Sequence, residues 1–192
     1  MNIQASIVSI GNWNTRIFTP DWVSANVFCI PEGKSMNIRL DDKNLTLLFI
    51  WEDIQFLPTD NSIEIRTNQV SKETLKQIDG IYKHLANLLH CTPVSAFGYN
   101  LLITMSQDEF DKTAVAKIVQ TPSISEYVTT SHKFNVIKDG AIRSFEIKFQ
   151  GDQIEIACNF QYNQIKRLPT DNVVFDLIIS ELTKFLGYEY KL

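Results

Sequence analysis

The chain has 192 residues, of which 44% are apolar and 21% charged, so it can bury a substantial core and has neither a disordered nor a fibrous composition. Its 18 Lys and Arg stand against 22 Asp and Glu, without a basic tail or cluster. This balance argues against a nucleic-acid partner, because proteins that bind nucleic acids neutralise phosphates with Lys and Arg. We expect a mildly acidic surface that contacts another protein.

The sequence favours a protein of the bacterial or phage cytoplasm. Its first seven residues carry no basic side chain and no signal-cleavage pattern, and no apolar run approaches the roughly 20 residues that cross a bilayer. We therefore expect a cytoplasmic protein with no membrane contact. The cysteines Cys29, Cys91 and Cys158 are far apart among apolar or small residues, which predicts buried, reduced thiols rather than disulfides.

Short runs of β-branched and aromatic residues, bounded by turn formers, predict eight strands. Residues 41–43 and 151–152 are typical of tight hairpin turns, and connections this short join antiparallel strands. The predicted strands are residues 3–10, 36–40, 45–51, 62–67, 94–104, 133–138, 142–149 and 153–162.

Two amphipathic helices are predicted from apolar side chains that recur three and four residues apart. The first covers residues 71–90, and Ser71 can cap its start. The second covers residues 171–186, with Gly187 at the C′ position.

A third and weaker helical pattern covers residues 107–118, where Ser106 and Glu109 have the spacing of a capping box. Together with the strands, the helices predict an α+β protein with mostly antiparallel sheet and two main helices.

The sequence Leu-Pro-Thr-Asp-Asn occurs twice, at residues 57–61 and 168–172. The residues before it align without a gap, so that the strand 45–51 matches residues 156–162. The two main helices also match in their apolar positions.

Two interpretations of this repeat remain open. One is an internal duplication, with two β-hairpin-plus-helix halves at residues 1–105 and 106–192 that form one compact unit. The other is that a favourable turn sequence arose twice, since Pro, Asp and Asn are common in turns.

His84, His90 and Cys91 form the only candidate metal cluster or thiol–imidazole pair in the sequence. Zinc sites need three or four ligands, and no second group of ligands lies nearby in the sequence. We therefore predict no metal site and no cofactor, and we interpret His90 as a residue at a helix C-terminus, near the negative end of the dipole.

Asp139, Glu146 and Lys148 resemble the Asp and Glu-x-Lys arrangement of restriction-type nucleases, in which two carboxylates hold Mg²⁺ beside a Lys. This resemblance implies a metal-dependent nuclease or hydrolase as an alternative function. The same spacing is common in ordinary strands, because alternation places Glu and Lys together on the solvent face. The sequence therefore favours a protein without enzymatic activity and leaves the nuclease as an alternative.

Residues 11–22 contain two of the three Trp residues and show little periodicity. Trp and Arg dominate binding hot spots, because they combine a large contact area with polar groups. On this basis Trp13, Arg16, Phe18 and Trp22 are the candidate binding residues. The alternative is that the rings fold back over the core, as large aromatic side chains commonly do.

These observations favour a non-enzymatic binding, inhibitory or adaptor protein, such as an immunity or anti-defence protein, whose partner is another protein or a second copy of itself. The β-rich start followed by Phe-Thr-Pro-Asp-Trp at residues 18–22 resembles the SecB-type chaperones over these few residues. That resemblance implies, as an alternative, a chaperone-like or antitoxin-type protein that binds apolar segments in surface grooves.

Overall fold

The structure, a computed structural model, describes residues 2–41, 46–119, 130–138, 140–163 and 174–187. Within these residues the chain forms one antiparallel sheet of nine strands, with four α-helices packed on one of its faces. The α+β class and the antiparallel sheet that the sequence predicts are confirmed.

The sheet order is not the order of the strands along the chain. The elements in chain order are β1 (Asn2–Gly11), α1 (Pro20–Asn26), β2 (Asn37–Asp41), β3 (Thr46–Trp51), β4 (Ile54–Pro58), β5 (Ser62–Thr67), α2 (Lys72–Leu88), β6 (Val94–Ser106), α3 (Gln107–Phe110), β7 (Thr130–Lys138), β8 (Ala141–Gln150), β9 (Gln153–Asn163) and α4 (Val174–Leu186). Across the sheet the strands run β2-β3-β4-β5-β1-β6-β9-β8-β7.

β1 and β6 lie side by side in the middle of the sheet. They pair in antiparallel register from Asn2 opposite Thr104 to Ile10 opposite Ala96. On their outer sides β1 pairs with β5 and β6 pairs with β9. In the described sheet, the β1–β6 ladder alone joins the strands that precede α2 to those that follow it.

All four helices bury apolar side chains against the same face of the sheet. Val23 of α1 lies in the same buried cluster as the side chains of α2, α3 and α4. Aromatic pairs mark the contacts between this face and the elements above it. The ring centroids lie 5.3 Å apart for Phe18 and Phe56, 6.0 Å for Tyr82 and Phe97, 5.5 Å for Phe110 and Phe149, and 5.0 Å for Phe175 and Tyr99.

The two main helices form where the sequence predicts them. Ser71 caps α2, because its hydroxyl accepts a hydrogen bond from the backbone N–H of Thr74. Gly187 follows α4 with a φ of 78°, the left-handed conformation expected at C′. Residues 171–173, with which the predicted second helix begins, lie outside the described residues. None of the described helices is both long and apolar enough to cross a membrane.

The third predicted helix is shorter than expected. The capping box is confirmed, since the Ser106 hydroxyl accepts from the Glu109 backbone and the Glu109 carboxylate accepts from the Ser106 backbone. However, α3 ends at Phe110, and a separate 3-10 turn covers Val115–Lys117.

β4 and α1 were not predicted from the sequence. The turn before β4 contains Glu52 in the left-handed region, with a φ of 52°, and lacks the Asn-Gly or Asp-Gly signal of a tight hairpin. For α1 the sequence did contain a start signal. Thr is a common N-cap residue and Pro is common at N1, and Thr19 is followed directly by Pro20. The Thr19 hydroxyl accepts from the backbone N–H of Trp22 at 3.3 Å.

The sheet order contradicts the gap-free alignment of the two halves. β3 is separated from the central strand β1 by β4 and β5, whereas β9 pairs directly with the central strand β6. Under the duplication, residues 45–51 should occupy a place equivalent to that of residues 154–162, which include the aligned residues 156–162, and this prediction is wrong. The first Leu-Pro-Thr-Asp-Asn covers the end of β4 and the turn before β5, and the second, at residues 168–172, lies outside the described residues.

An ion pair between a buried Arg and a partly exposed Glu connects α4 to the sheet. Arg143 of β8 is only 3% exposed, and its Nη1 lies 3.4 Å from Oε1 of Glu181 in α4. The guanidinium also lies over the ring of Phe160, 5.0 Å from its centroid. Because burying a guanidinium is costly without a carboxylate beside it, Arg143 and Glu181 constrain where α4 can sit.

Leu85 of α2 and Leu182 of α4 are fully buried, at 0% and 2% exposure. We expect Leu85→Ala and Leu182→Ala each to lower the free energy of unfolding by about 2–5 kcal/mol, because each leaves a cavity in the core. Urea denaturation measures the loss, with Asn87→Ala on the exposed side of α2 as control. Losses below about 1 kcal/mol at both positions would contradict the packing described here.

Candidate functional site

The sheet has a second face on which none of the described helices lies, and we call it the helix-free face. Strand alternation directs polar and charged side chains to it, as in Ser6 of β1, Arg66 of β5 and Glu146 of β8. Most of these side chains are partly exposed, since their neighbours cover only part of their surface. The face is therefore polar and accessible to a partner.

A continuous row of polar side chains crosses the helix-free face at right angles to the strands. Its members follow from the strand register, because each lies directly opposite the next. We call this set the polar row, and it consists of Gln55, Arg66, Ser6, Asn100, Asn159, Ser144 and Asn135, one from each of β4, β5, β1, β6, β9, β8 and β7.

Hydrogen bonds connect neighbours within the polar row. At the centre, Nδ2 of Asn159 donates to Oδ1 of Asn100, and Nδ2 of Asn100 donates to the Ser6 hydroxyl at 3.3 Å. Toward one end, Nε of Arg66 donates to Oε1 of Gln55 at 2.8 Å. These bonds orient the side chains in the folded protein before any partner arrives.

At the other end of the polar row, the Ser144 hydroxyl donates to Oδ1 of Asn135 at 2.7 Å. Beside the centre of the row lies a depression of about 350 Å³. Ala157 contributes to its lining, and this short side chain leaves room beside Asn100 and Asn159. A ligand chain would therefore find space next to the two carboxamides.

Charged side chains of both signs lie in the polar row and beside it. Arg66 lies 3.6 Å from Glu64, and Lys148 lies 3.8 Å from Glu146 and 3.7 Å from Glu155. All five are partly exposed, so each pair is a solvated surface ion pair of small net energy. The face thus offers alternating charge rather than a basic or an acidic field.

The nuclease-like residues are only partly brought together. Glu146 and Lys148 share the helix-free face as alternation predicts, and Glu155 is the second carboxylate near Lys148. Asp139 lies outside the described residues. Among the residues that the structure describes, no group of three or more His, Cys, Asp or Glu side chains is placed to hold a metal ion.

The candidate binding residues of the Trp-containing segment lie mostly in the core. Trp13 and Phe18 are each 4% exposed, and Phe18 packs edge-on against Trp22, with ring centroids 5.5 Å apart. Trp22 is half-buried, and of these four residues Arg16 alone is exposed. The proposal that Trp13 and Phe18 present their rings to a partner is therefore corrected, since they fold over the core.

The first Leu-Pro-Thr-Asp-Asn turn anchors this segment. Asp60 accepts from the Thr15 hydroxyl at 2.6 Å through its side chain and from the Trp13 backbone at 3.0 Å through its carbonyl. The backbone N–H of Gly11 donates to the carbonyl of Asn61. A side chain at Gly11 would place its Cβ in steric conflict with the carbonyl oxygen of Pro93, so the chain requires glycine there.

His84 lies in α2, and His90 and Cys91 lie just after its end. His84, His90 and Cys91 are all exposed, and Nδ1 of His90 lies 3.1 Å from the carbonyl oxygen of Asn87 at the end of α2. This position agrees with the interpretation of His90 as a helix C-terminal residue.

The cysteines only partly follow the sequence prediction. Cys158 is buried, and burial raises the pKa of its thiol to about 12, so it stays protonated and unreactive. Cys29 and Cys91 are exposed, which corrects the prediction that all three thiols are buried. Cys29 and Cys91 lie at chain positions outside any strand or helix, where the apolar neighbours in sequence do not cover them.

The polar row was not predicted from the sequence. Alternation along β6 and β9 could have shown that Asn100 and Asn159 face away from the core. Their direct opposition depends on strand register, which alternation does not determine. Comparison with protein-family models and with the sequences of curated proteins finds no match.

On the opposite face, a hydrogen-bonded trio ties α2 to β6. The Tyr99 hydroxyl donates to Oδ1 of Asp79 at 3.0 Å, and Nζ of Lys83 lies 2.7 Å from the other carboxylate oxygen. Burial, together with the negative charge of Asp79, raises the pKa of Tyr99 well above its usual value.

The raised pKa of Tyr99 makes stability depend on pH. In the unfolded chain this tyrosine ionises near pH 10, whereas in the folded protein it stays neutral to higher pH. Its contribution is therefore complete below about pH 10 and is lost as the pH rises further. We expect Tyr99→Phe to reduce the fall in unfolding free energy above about pH 10 by up to about 1.4 kcal/mol per pH unit.

Urea denaturation at a series of pH values tests this expectation. Below about pH 9 the wild-type and Tyr99→Phe curves should run parallel, offset by the lost hydrogen bond, and this region serves as the internal control. Curves that stay parallel up to about pH 11 would contradict the assignment.

Proposed function

We propose that the protein is a non-enzymatic binding or inhibitory protein that holds an extended segment of another protein across the helix-free face. The observation that carries the proposal is the polar row, which presents hydrogen-bonding side chains from seven adjacent strands in one line. Such a row is accessible on the face that no described helix covers.

The chemistry of the row suits a polypeptide backbone. Each carboxamide has donor and acceptor groups, as a peptide unit has, so Asn100 and Asn159 can bond to both the N–H and the C=O of a bound chain. Six steps of about 4.8 Å between strands make the row about 29 Å long, which is the length of about eight or nine extended residues. The hydrogen bonds within the row reduce the entropy that binding must remove.

The balance of charge supports a protein partner over a nucleic acid. Arg66 and Lys148 each lie within 4 Å of a Glu on the same face, so neither is a free cation for a phosphate. Polypeptides carry both signs of charge and can match an alternating pattern.

More specific parts of the proposal come from the sequence. An immunity or anti-defence role of bacterial or phage type and a cytoplasmic location remain proposals, and the exposed free thiols of Cys29 and Cys91 support a reducing compartment.

Internal duplication also remains a proposal. If the halves are related, the central strands β1 and β6 are the natural equivalents, since each is followed by a short helix and an antiparallel meander.

The test uses a double variant of the row, Asn100→Ala with Asn159→Ala. Affinity capture with tagged wild-type protein, followed by mass spectrometry, identifies a candidate partner, whose binding is then measured with purified proteins by calorimetry. We expect the double variant to weaken binding about tenfold or more, because each change removes hydrogen bonds at the centre of the row. Lys148→Ala, on the same face but away from the row, is the matched control.

Melting temperatures establish that each variant is folded before its affinity is compared. Unchanged affinity in a folded double variant would refute the polar row as the binding site. Equal loss of affinity in Lys148→Ala would show that the whole face, rather than the row, determines binding.

Glu146→Ala separates the binding proposal from the nuclease alternative. We expect this variant to keep full activity in cells, because Glu146 is a partly exposed residue whose ion pair with Lys148 contributes little. The measurement is whether the Glu146→Ala variant restores the phenotype that is lost when the gene is deleted. Loss of function in a stably folded Glu146→Ala protein would favour a metal-dependent nuclease.

A further inference from the structure

The depression beside the centre of the polar row is lined by two further carboxamides. Ser6, Asn100 and Asn159 of the row border it, and they are hydrogen-bonded to one another. Gln4 of β1 and Asn68, which directly follows β5, add to the lining. The depression is therefore surrounded by neutral polar groups from four neighbouring strands or their ends.

Several of these groups have hydrogen-bonding capacity to spare. The carboxamides of Gln4 and Asn68 are exposed, and neither is engaged by a hydrogen bond in the part of the chain that the structure describes. Within the row, Asn159 donates through Nδ2 and Ser6 accepts through its hydroxyl oxygen. This leaves Oδ1 of Asn159 as an acceptor and the hydroxyl hydrogen of Ser6 as a donor, so both donors and acceptors are available to a ligand.

The charged residues that line the depression are paired with each other. Nη1 of Arg66 lies 3.6 Å from Oε2 of Glu64, and Nε of Arg66 donates to Gln55. Leu102 and Ala157 supply an apolar part of the lining. The described lining thus offers hydrogen bonds and apolar contact, but no unpaired charge.

A segment bound along the polar row would direct a side chain at this depression, because an extended chain points every second side chain toward the surface on which it lies. A charged side chain would lose water there without meeting an opposite charge. An apolar side chain would cover the carboxamides and leave their groups without partners. A carboxamide side chain has two donors and an acceptor, so it matches the groups that are available.

We infer that the depression is a specificity subsite, which receives the carboxamide side chain of a Gln or Asn from the segment bound along the polar row. This inference rests on the proposed function, since the row must hold the segment. Backbone contacts to the row are the same for many sequences, whereas a subsite that bonds to one kind of side chain discriminates between them.

Selection from a peptide library tests the inference without knowledge of the partner. Random peptides of about nine residues, the length of the row, are selected on the full-length wild-type protein. Peptides that also bind the Asn100→Ala, Asn159→Ala double variant are removed, so that those retained depend on the row. We expect Gln or Asn to be enriched at one position near the middle of the retained peptides.

Matched peptides then measure the preference. Replacing the enriched glutamine by glutamate or by methionine, which are similar in size, should each weaken binding about tenfold or more, measured by fluorescence anisotropy. A protein variant with Gln4→Met and Asn68→Leu keeps the size of both side chains but lacks their carboxamides. It should bind the glutamine and methionine peptides with similar affinities, because the hydrogen bonds that distinguish them are lost.

Gln161→Met is the matched control, since Gln161 lies on the helix-free face of β9 but does not line the depression. It should keep the full preference for the glutamine peptide. Gln4 and Asn68 are exposed and Gln161 is partly exposed, so these substitutions should not unfold the chain, and melting temperatures check this.

Failure of the inference and failure of the proposed function give different results. Row-dependent peptides without enriched Gln or Asn, or with a preference that survives in the Gln4→Met, Asn68→Leu variant, would overturn the subsite and leave the row as a binding site. Equal or tighter binding of the glutamate peptide would also overturn it, in favour of an anionic side chain beside Arg66. A library without any row-dependent peptide would overturn both.

Discussion

The antiparallel pairing of β1 with β6 is the constraint on which the described structure depends. It joins two groups of strands that are otherwise consecutive meanders, and its register places Ser6 opposite Asn100 and Ile7 opposite Tyr99. One step of this register would exchange the two faces along β6 and move Tyr99 out of the core. The same ladder therefore aligns the buried aromatic residues on one face and the polar row on the other.

The two faces of the sheet differ in the interactions that their side chains make. On the helix-bearing face, aromatic contacts and two charged anchors, Asp79 with Tyr99 and Arg143 with Glu181, determine where α2 and α4 lie. On the helix-free face, side-chain hydrogen bonds between strands order polar groups that remain accessible. The apolar face supplies stability, and the polar side chains of the other face stay partly exposed.

The N-terminal aromatic segment, residues 11–22, contributes to the stability of the apolar face. Trp13 and Phe18 are both buried, Phe18 against Phe56 of β4, and Asp60 fixes the chain between them through Thr15 and the Trp13 backbone. The β2 edge has a different character, because its apolar side chains lie beyond the cover of the helices while its charges alternate.

Local patterns in the sequence determined most of the element types and the faces of their side chains. The alternation in β6, β8 and β9, the Ser71 and Ser106 caps and the Gly187 terminus all act between near neighbours, so their outcome can be derived from the sequence. Non-local pairing decided the rest. Alternation assigns Asn100, Asn159 and Ser6 to a face, but only the strand order and register bring them into one hydrogen-bonded row. Similarly, Trp13 and Phe18 look the same in sequence whether exposed or buried, and the packing of the segment against Phe56 of β4 decided that they are core.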